Sequence, residues 1–341
     1  MNKKPRAIDL FAGAGGLTEG LRQAGYKVVG AVENDPIACL TYRKNHPSTK
    51  LWEKDIRTLT STSILTQLDL RPGELDLLAA CPPCQGFSSM RTKNGSRRNR
   101  DERNDLVFEI TRLIRSLRPK SVMIENVPGL ANNRRFKEML SELRQLRYKI
   151  VWDVLNAADY AVPQRRKRLI LLASRIALPE FAPLEPAKKT VRQAIGKLAA
   201  PKNSSDTLHN YTQSRSKRIK TLINKIPKNG GSRRSLPLAD QLQCHQRAEG
   251  FNDVYGRMTW NKPSPTITGG CTNPSKGRFL HPTANRAITL REAALLQTFP
   301  PDYYFPVHKG RDSVALLIGN ALPPEFIRRH ARELLKIKVK K

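Results

Sequence analysis

Asp9-Leu10-Phe11-Ala12-Gly13-Ala14-Gly15-Gly16 grows out of an apolar run at residues 7–11 and leads into a helical pattern beginning near Leu17. Glycines so placed let a chain leave a strand, turn tightly and approach a ligand at the strand's carboxyl end. A dinucleotide fingerprint is the obvious rival, but Gly-x-Gly-Gly lacks the Gly-x-Gly-x-x-Gly spacing. A purely structural turn is the other reading. Glu33 ends the next apolar run, about 20 residues on, where an acid meets ribose hydroxyls. Asp55 follows a third strand-like run, in position to contact a purine amino group.

Working outward, strand-like runs recur at 75–80, 122–125, 150–155 and 169–173, after 7–11 and 28–32. Helical spacing lies between them. Leu106, Ile110, Leu113, Ile114 and Leu117 share one face, as do Phe136, Leu140, Leu143 and Leu146. This alternation predicts an α/β fold with a doubly wound, mostly parallel sheet. Residues 176–285 change texture, with many Pro, Gly, Ser, Asn and basic residues. They read as a smaller irregular domain or a partner-ordered one. Helical pattern returns at 289–297 and 325–337.

Lys and Arg number 61 against 29 acids, a formal net charge of +32. So large an excess points to a polyanion, and nucleic acid is favoured because no amphipathic membrane anchor is evident. The excess is uneven. Between residues 160 and 234 the only acids are Glu180, Glu185 and Asp206, and a second basic cluster spans 91–103. No apolar run reaches the roughly 18 residues that a membrane helix needs. The run at 7–11 is too short for a signal peptide, so a cytoplasmic location is expected. Five cysteines, an odd and sparse set, fit a reducing compartment rather than a disulfide framework.

Cys81-Pro-Pro-Cys-Gln-Gly-Phe-Ser88 follows the apolar run 75–80, at the sheet edge where α/β proteins collect reactive groups. Pro82 and Pro83 stiffen the loop and would present Cys84 on a rigid backbone. A thiolate is the strongest nucleophile among side chains near neutral pH, and basic surroundings favour it. Cys81 and Cys84 could instead be half a zinc site with Cys244, His245 and Cys271, but no second paired spacing exists. A redox dithiol would need a thioredoxin-like unit, which the glycine loop argues against. Glu125, in Val122-Met-Ile-Glu-Asn-Val-Pro128, is an acid at the end of a buried strand. Such an acid is costly unless paired or used, so Glu125 is a candidate to grip or protonate a ring nitrogen. The alternative is an N-cap or salt-bridge acid. Gln164-Arg-Arg-Lys-Arg168, before the last strand-like run, offers candidate anion holders.

In this order the pieces resemble the bacterial DNA (cytosine-5)-methyltransferase family. The matching stretches are Asp9 to Gly16, Pro82 to Ser88, Glu125-Asn-Val127, Gln164 to Arg168, Thr289-Leu-Arg-Glu-Ala-Ala294 with Leu296-Gln-Thr-Phe-Pro300, and Gly319-Asn-Ala-Leu-Pro323. Each is weak to moderate; six in order, across almost the whole chain, are specific. The resemblance implies a class I S-adenosylmethionine-dependent fold and a reaction in which Cys84 adds to carbon 6 of a cytosine flipped from duplex DNA. It implies that Glu125 binds ring nitrogen 3, that Arg166 holds the cytosine carbonyl, and that Arg168 partners it. For S-adenosylmethionine it implies Phe11, Gly13, Gly15, Gly16, Glu33, Asn34, Asp55, Ile56, Pro83, Leu106, Asn320 and Ala321, with no metal. Ala321 stands where some relatives carry a small polar residue, so a side-chain contact is lost there.

By the same resemblance, residues 1–176 form the catalytic and cofactor-binding domain, 177–285 a target-recognition domain, and 286–341 a return segment completing the first. Arg215, Lys217, Arg218, Lys220, Arg233 and Arg234 are expected on phosphates rather than bases. Gly256-Arg-Met-Thr-Trp260 through Pro265-Thr-Ile-Thr268 resembles the end of the recognition region, and 91–103 the loop that closes over the base. A monomer on DNA is expected, with a cognate restriction endonuclease as a possible partner. Two rivals remain: a transfer-RNA cytosine-5 methyltransferase, whose usual Cys-Phe-Thr element is missing here, and a catalytically silent DNA-binding homologue, against which Cys84, Glu125 and Arg166 speak.

Overall fold

A computed structural model of the chain describes residues 4–83, 106–243 and 253–337. Cys84, residues 85–88, the basic cluster 91–103, Cys244 and His245 lie outside the described residues. Strands β1 (Arg6–Leu10), β2 (Lys27–Glu33), β3 (Lys50–Glu53), β4 (Leu77–Ala80), β5 (Ser121–Asn126), β6 (Lys149–Asn156) and β7 (Lys167–Ser174) form one sheet, in the order β3-β2-β1-β4-β5-β7-β6. Neighbours pair in parallel from β3 to β5, while β7 is antiparallel to both β5 and β6. The mostly parallel sheet expected from the alternation is therefore a mixed one, with β7 the reversed strand.

The described helices, in chain order, are α1 (Gly16–Ala24), α2 (Pro36–Asn45), α3 (Ser61–Leu68), α4 (Leu106–Leu117), α5 (Arg134–Gln145), α6 (Val191–Ile195), α7 (Lys217–Lys225), α8 (Leu290–Leu296), α9 (Arg311–Asn320) and α10 (Pro324–Lys336). The chain divides into two compact units. The first is Met1–Tyr160, Lys167–Leu184 and Leu322–Lys341; the second is Ala161–Arg166 and Glu185–Ala321.

In the first unit, β4 and β5 are buried along their whole length, as central strands covered on both faces must be. On one face Ile8, Leu10, Leu78 and Ile124 join the apolar stripes of α4 (Ile110, Leu113, Ile114) and α5 (Phe136, Met139, Leu143) in a single core. Each such side chain contributes roughly 1.5–3 kcal/mol on burial. α1 packs against α10, which brings the end of the chain back to its beginning. The crossing is tight at Gly20, where a Cβ would lie 2.6 Å from both Ile327 Cβ and the Pro324 carbonyl oxygen.

In the second unit regular structure is sparse, and buried polar groups do much of the organising. Arg257, fully buried, donates to the carbonyls of Ile223, Ile226, His281 and Ala284 and to Asn285 Oδ1. These bonds tie the end of α7 and the segment 281–285 to Arg257, around the apolar cluster of Leu222, Ile223, Ile226 and Leu280. Thr289 caps α8 by a reciprocal pair of bonds with Glu292, and Arg286 pairs with the same carboxylate at 2.7 Å.

Candidate active site

Parallel register sets the first cluster. Ala80 pairs with Ile124, so Cys81 and Glu125 face each other one step further along. Glu125, only 2% exposed, accepts a hydrogen bond at Oε2 and meets a positive charge at Oε1, which has no hydrogen-bond partner. Arg168 Nε lies 2.8 Å from Oε1, and the Cys81 thiol donates to Oε2 at 2.9 Å. The reversal of β7 makes the arginine contact possible. Because β7 runs against β5, its first residues arrive at the edge where β4 and β5 finish. Burial, then the charge and hydrogen bond of Glu125, push the Cys81 thiol well above its usual value, with Arg168 opposing. Asn126 donates through Nδ2 to the Pro82 carbonyl at 3.2 Å and fixes the start of the Pro82-Pro83 step toward Cys84.

The second cluster is the glycine loop after β1. Phe11 (φ 63°), Gly13 (φ 54°) and Gly15 (φ 90°) all adopt left-handed backbone. For Phe11 that conformation is strained, and such strain gathers at ligand sites. A Cβ on Gly13 would meet nothing within 4 Å, so the loop opens on free space. Glu33 braces the loop from β2: Oε2 accepts from Gly13 N at 2.7 Å, and Oε1 from Asn34 N and Asp35 N at 2.8 Å. Three bonds leave one of the carboxylate's roughly four acceptor positions for a ligand hydroxyl. An open cradle beside an unspent acceptor fits a ribose-bearing cofactor.

The other residues expected at this cofactor site in the first unit are placed unevenly. Asp55 accepts from Arg57 N, Ile56 and Leu106 belong to the core, Pro83 is half-buried and Asn34 is exposed. Asp9 is a residue that the sequence reading quoted without a role. It is fully buried, its Oδ2 accepts from the Thr18 hydroxyl at 2.7 Å, and its Oδ1 has no hydrogen-bond partner. Burial pushes its carboxyl up to about 7, with the Thr18 hydroxyl pulling down and the charge of Glu33 adding to the rise. Nothing short of the tertiary packing distinguishes it from any other strand acid.

Arg166, Asn320 and Ala321 belong to the second unit. Arg166 is 3% exposed and donates to the carbonyls of Ile267 (2.9 Å) and Gly319 (3.0 Å). Gly319 itself is obligatory, since a Cβ there would lie 2.1 Å from the Thr268 carbonyl carbon. Gln164 and Gln297 extend the network: Gln164 Nε2 donates to Gln297 Oε1, and Gln297 Nε2 to the carbonyls of Ile318 and Ala321. The surface cations divide. Lys217, Arg218, Lys220 and Arg234 are exposed, whereas Arg233, expected on phosphate, is 2% exposed and turned into the unit. Arg215, Lys220, Arg286 and Arg311 line a cleft of about 540 Å³, where Arg311 stacks on Tyr211 at 3.9 Å.

Among the described residues no group of three or more His, Cys, Asp or Glu side chains could hold a metal ion, and no helix is long and apolar enough to cross a membrane.

The family model for C-5 cytosine-specific DNA methylase matches residues 6–336. The chain is 35% identical over 332 residues to the Type II methylase M.HgiDII of Herpetosiphon aurantiacus, covering 93% of this chain and 91% of the relative. It is 34% identical over 340 residues to the Type II methyltransferase M1.HphI of Haemophilus parahaemolyticus, covering 97% and 86%. Among solved structures, a putative DNA modification methyltransferase encoded within an Escherichia coli prophage shares the fold. Its TM-score is 0.75 at 23% identity, covering 98% of this chain and 99% of that one. The transfer-RNA reading is not favoured by these relatives. The chain belongs to the C-5 cytosine-specific DNA methylase family.

Proposed function

We propose that the chain methylates carbon 5 of a cytosine within a particular duplex DNA sequence, using S-adenosylmethionine and the nucleophile Cys84. The observation that carries this reading is the buried Glu125 carboxyl, with the Cys81 thiol on one oxygen and the Arg168 charge beside the other, at the sheet edge that the chain leaves through Pro82-Pro83. A base flipped from the helix meets that edge. The Cys84 thiolate adds to carbon 6 while Glu125, entering the step as the carboxylic acid, gives its proton to ring nitrogen 3, so that carbon 5 becomes electron-rich. S-adenosylmethionine, when bound, supplies the methyl group that carbon 5 takes. Water takes the carbon 5 proton, ring nitrogen 3 returns its proton to Glu125, and expulsion of Cys84 restores the aromatic ring and the free thiolate.

The residues that would hold the cofactor in the first unit are Phe11, Gly13, Gly15, Gly16, Glu33, Asn34, Asp55, Ile56, Pro83 and Leu106. Glu33 would take a ribose hydroxyl on its remaining acceptor position. The second unit would carry DNA recognition: its exposed Lys217, Arg218, Lys220 and Arg234 suit phosphates, and the basic cleft suits the backbone. The Type II names of the relatives support a restriction–modification setting, with a cognate endonuclease acting on the same site.

The test is a covalent trap. Long phage DNA copied with 5-fluorodeoxycytidine triphosphate offers every sequence, and fluorine at carbon 5 cannot leave as a cation. With cofactor present, the protein is expected to stay on this DNA through denaturing electrophoresis, and Cys84→Ala is expected to come off. A parent chain that is never trapped overturns the reading.

A further inference from the structure

The chemistry above uses Glu125 and Cys84 but leaves Cys81 without a task. Cys81 sits one step past β4, its backbone N donating to the Leu10 carbonyl at 3.2 Å, so its side chain is aimed by the sheet itself. Its thiol meets Glu125 Oε2 at 2.9 Å, while Arg168 meets Oε1 at 2.8 Å from β7, the strand on the opposite side of β5. A carboxylate held at one oxygen can still swing its plane about the last side-chain torsion, which is broad and roughly two-fold. A hydrogen bond on the other oxygen removes that freedom, and the thiol makes it, since Oε1 meets Arg168 as an ion pair without a hydrogen bond. We propose that Cys81 is a positioning residue for the methylation reaction, its thiol fixing the plane of the Glu125 carboxylate. The inference rests on the reading of Glu125 as the acid that serves the target base.

Two features make a thiol suited to the task. It remains protonated, and therefore a donor, because burial and the neighbouring carboxylate both oppose its ionisation. It is also a weak donor, so it orients Glu125 without strongly opposing the protonation that lets the acid serve ring nitrogen 3.

The test uses the full chain, long unmethylated phage DNA and radiolabelled S-adenosylmethionine under single-turnover conditions. Cys81→Ala is expected to slow methyl transfer about tenfold, the scale of one lost donor to a charged group, with the KM for S-adenosylmethionine unchanged. Cys81→Ser, which returns a donor, is expected to lie within about threefold of the parent. In a Glu125→Gln background, Cys81→Ala is expected to cost less than about twofold further, because its effect passes through the carboxylate. An alanine variant within twofold of the parent, or one losing the same factor in both backgrounds, overturns the proposal. If Cys81→Ala does not fold, Cys81→Val, which fills the space without a donor, takes its place under the same criteria. Glu125→Gln alone separates the two ideas. If it turns over at nearly the parent rate, the role of Glu125 fails; if it is slow while Cys81→Ala is not, only the role of Cys81 fails.

Discussion

Glu125 shows what a single buried carboxylate requires. At 2% exposure it would be costly to leave unpaired, and the sheet brings it a hydrogen bond from Cys81 at the end of β4 and the charge of Arg168 from β7. Glu125→Gln keeps the shape but removes the acid, and methyl transfer is expected to slow about 100-fold or more, the scale of a lost acid–base group. Single-turnover rates check this, and a value within about threefold of the parent removes Glu125 from the chemistry. Cys84→Ala is expected to abolish transfer while DNA binding persists, measured by gel shift on long DNA. Residual turnover at the parent rate would reject the nucleophile. Both residues stood out in the sequence as reactive types at strand ends. Cys81 did so only as a rival zinc or redox ligand, since its bond to Glu125 joins residues 44 apart in the chain.

At the scale of elements, α10 matters as much as the glycine loop. It docks on α1 through Gly20 and buries His330 completely among Tyr160, Phe181 and Phe326, with the ring Nδ1 accepting from Ala182 N at 3.2 Å. Burial pushes the His330 imidazole down to about 3, with Arg329 adding to the fall. In the unfolded chain that ring takes up a proton below about 6.5, which the folded chain refuses until about pH 3. Stability from the neutral ring is thus present above 6.5 and lost as pH falls toward 3. His330→Gln keeps an acceptor but does not titrate. It is expected to be less stable than the parent by roughly 1–3 kcal/mol at pH 7.5, and the gap should narrow as pH falls to 4. Denaturant melts across that range decide, and a constant gap would refute the assignment. The helix pattern at 325–337 was legible because its apolar spacing is strong; its docking partner was not, because packing of α10 on α1 joins opposite ends of the chain.

For the whole molecule the governing quantity is charge. With a net charge of +32, DNA affinity is expected to fall by a factor on the order of 10³ between about 50 and about 200 mM salt. Fluorescence anisotropy with a long duplex checks this, and a flat response would exclude phosphate-dominated docking. Individual cations are less legible than their sum: Arg233, expected on phosphate, is buried, and so is Arg257, which organises the loops around it. The sequence by itself determined the strands, the glycine turn and the family, because each is written in local spacing or in a short motif. Only the tertiary structure decided the reversal of β7, the pairing of Arg168 and Cys81 with Glu125, and which arginines face water. Those depend on contacts between residues far apart in the chain, and local pattern carries no record of them.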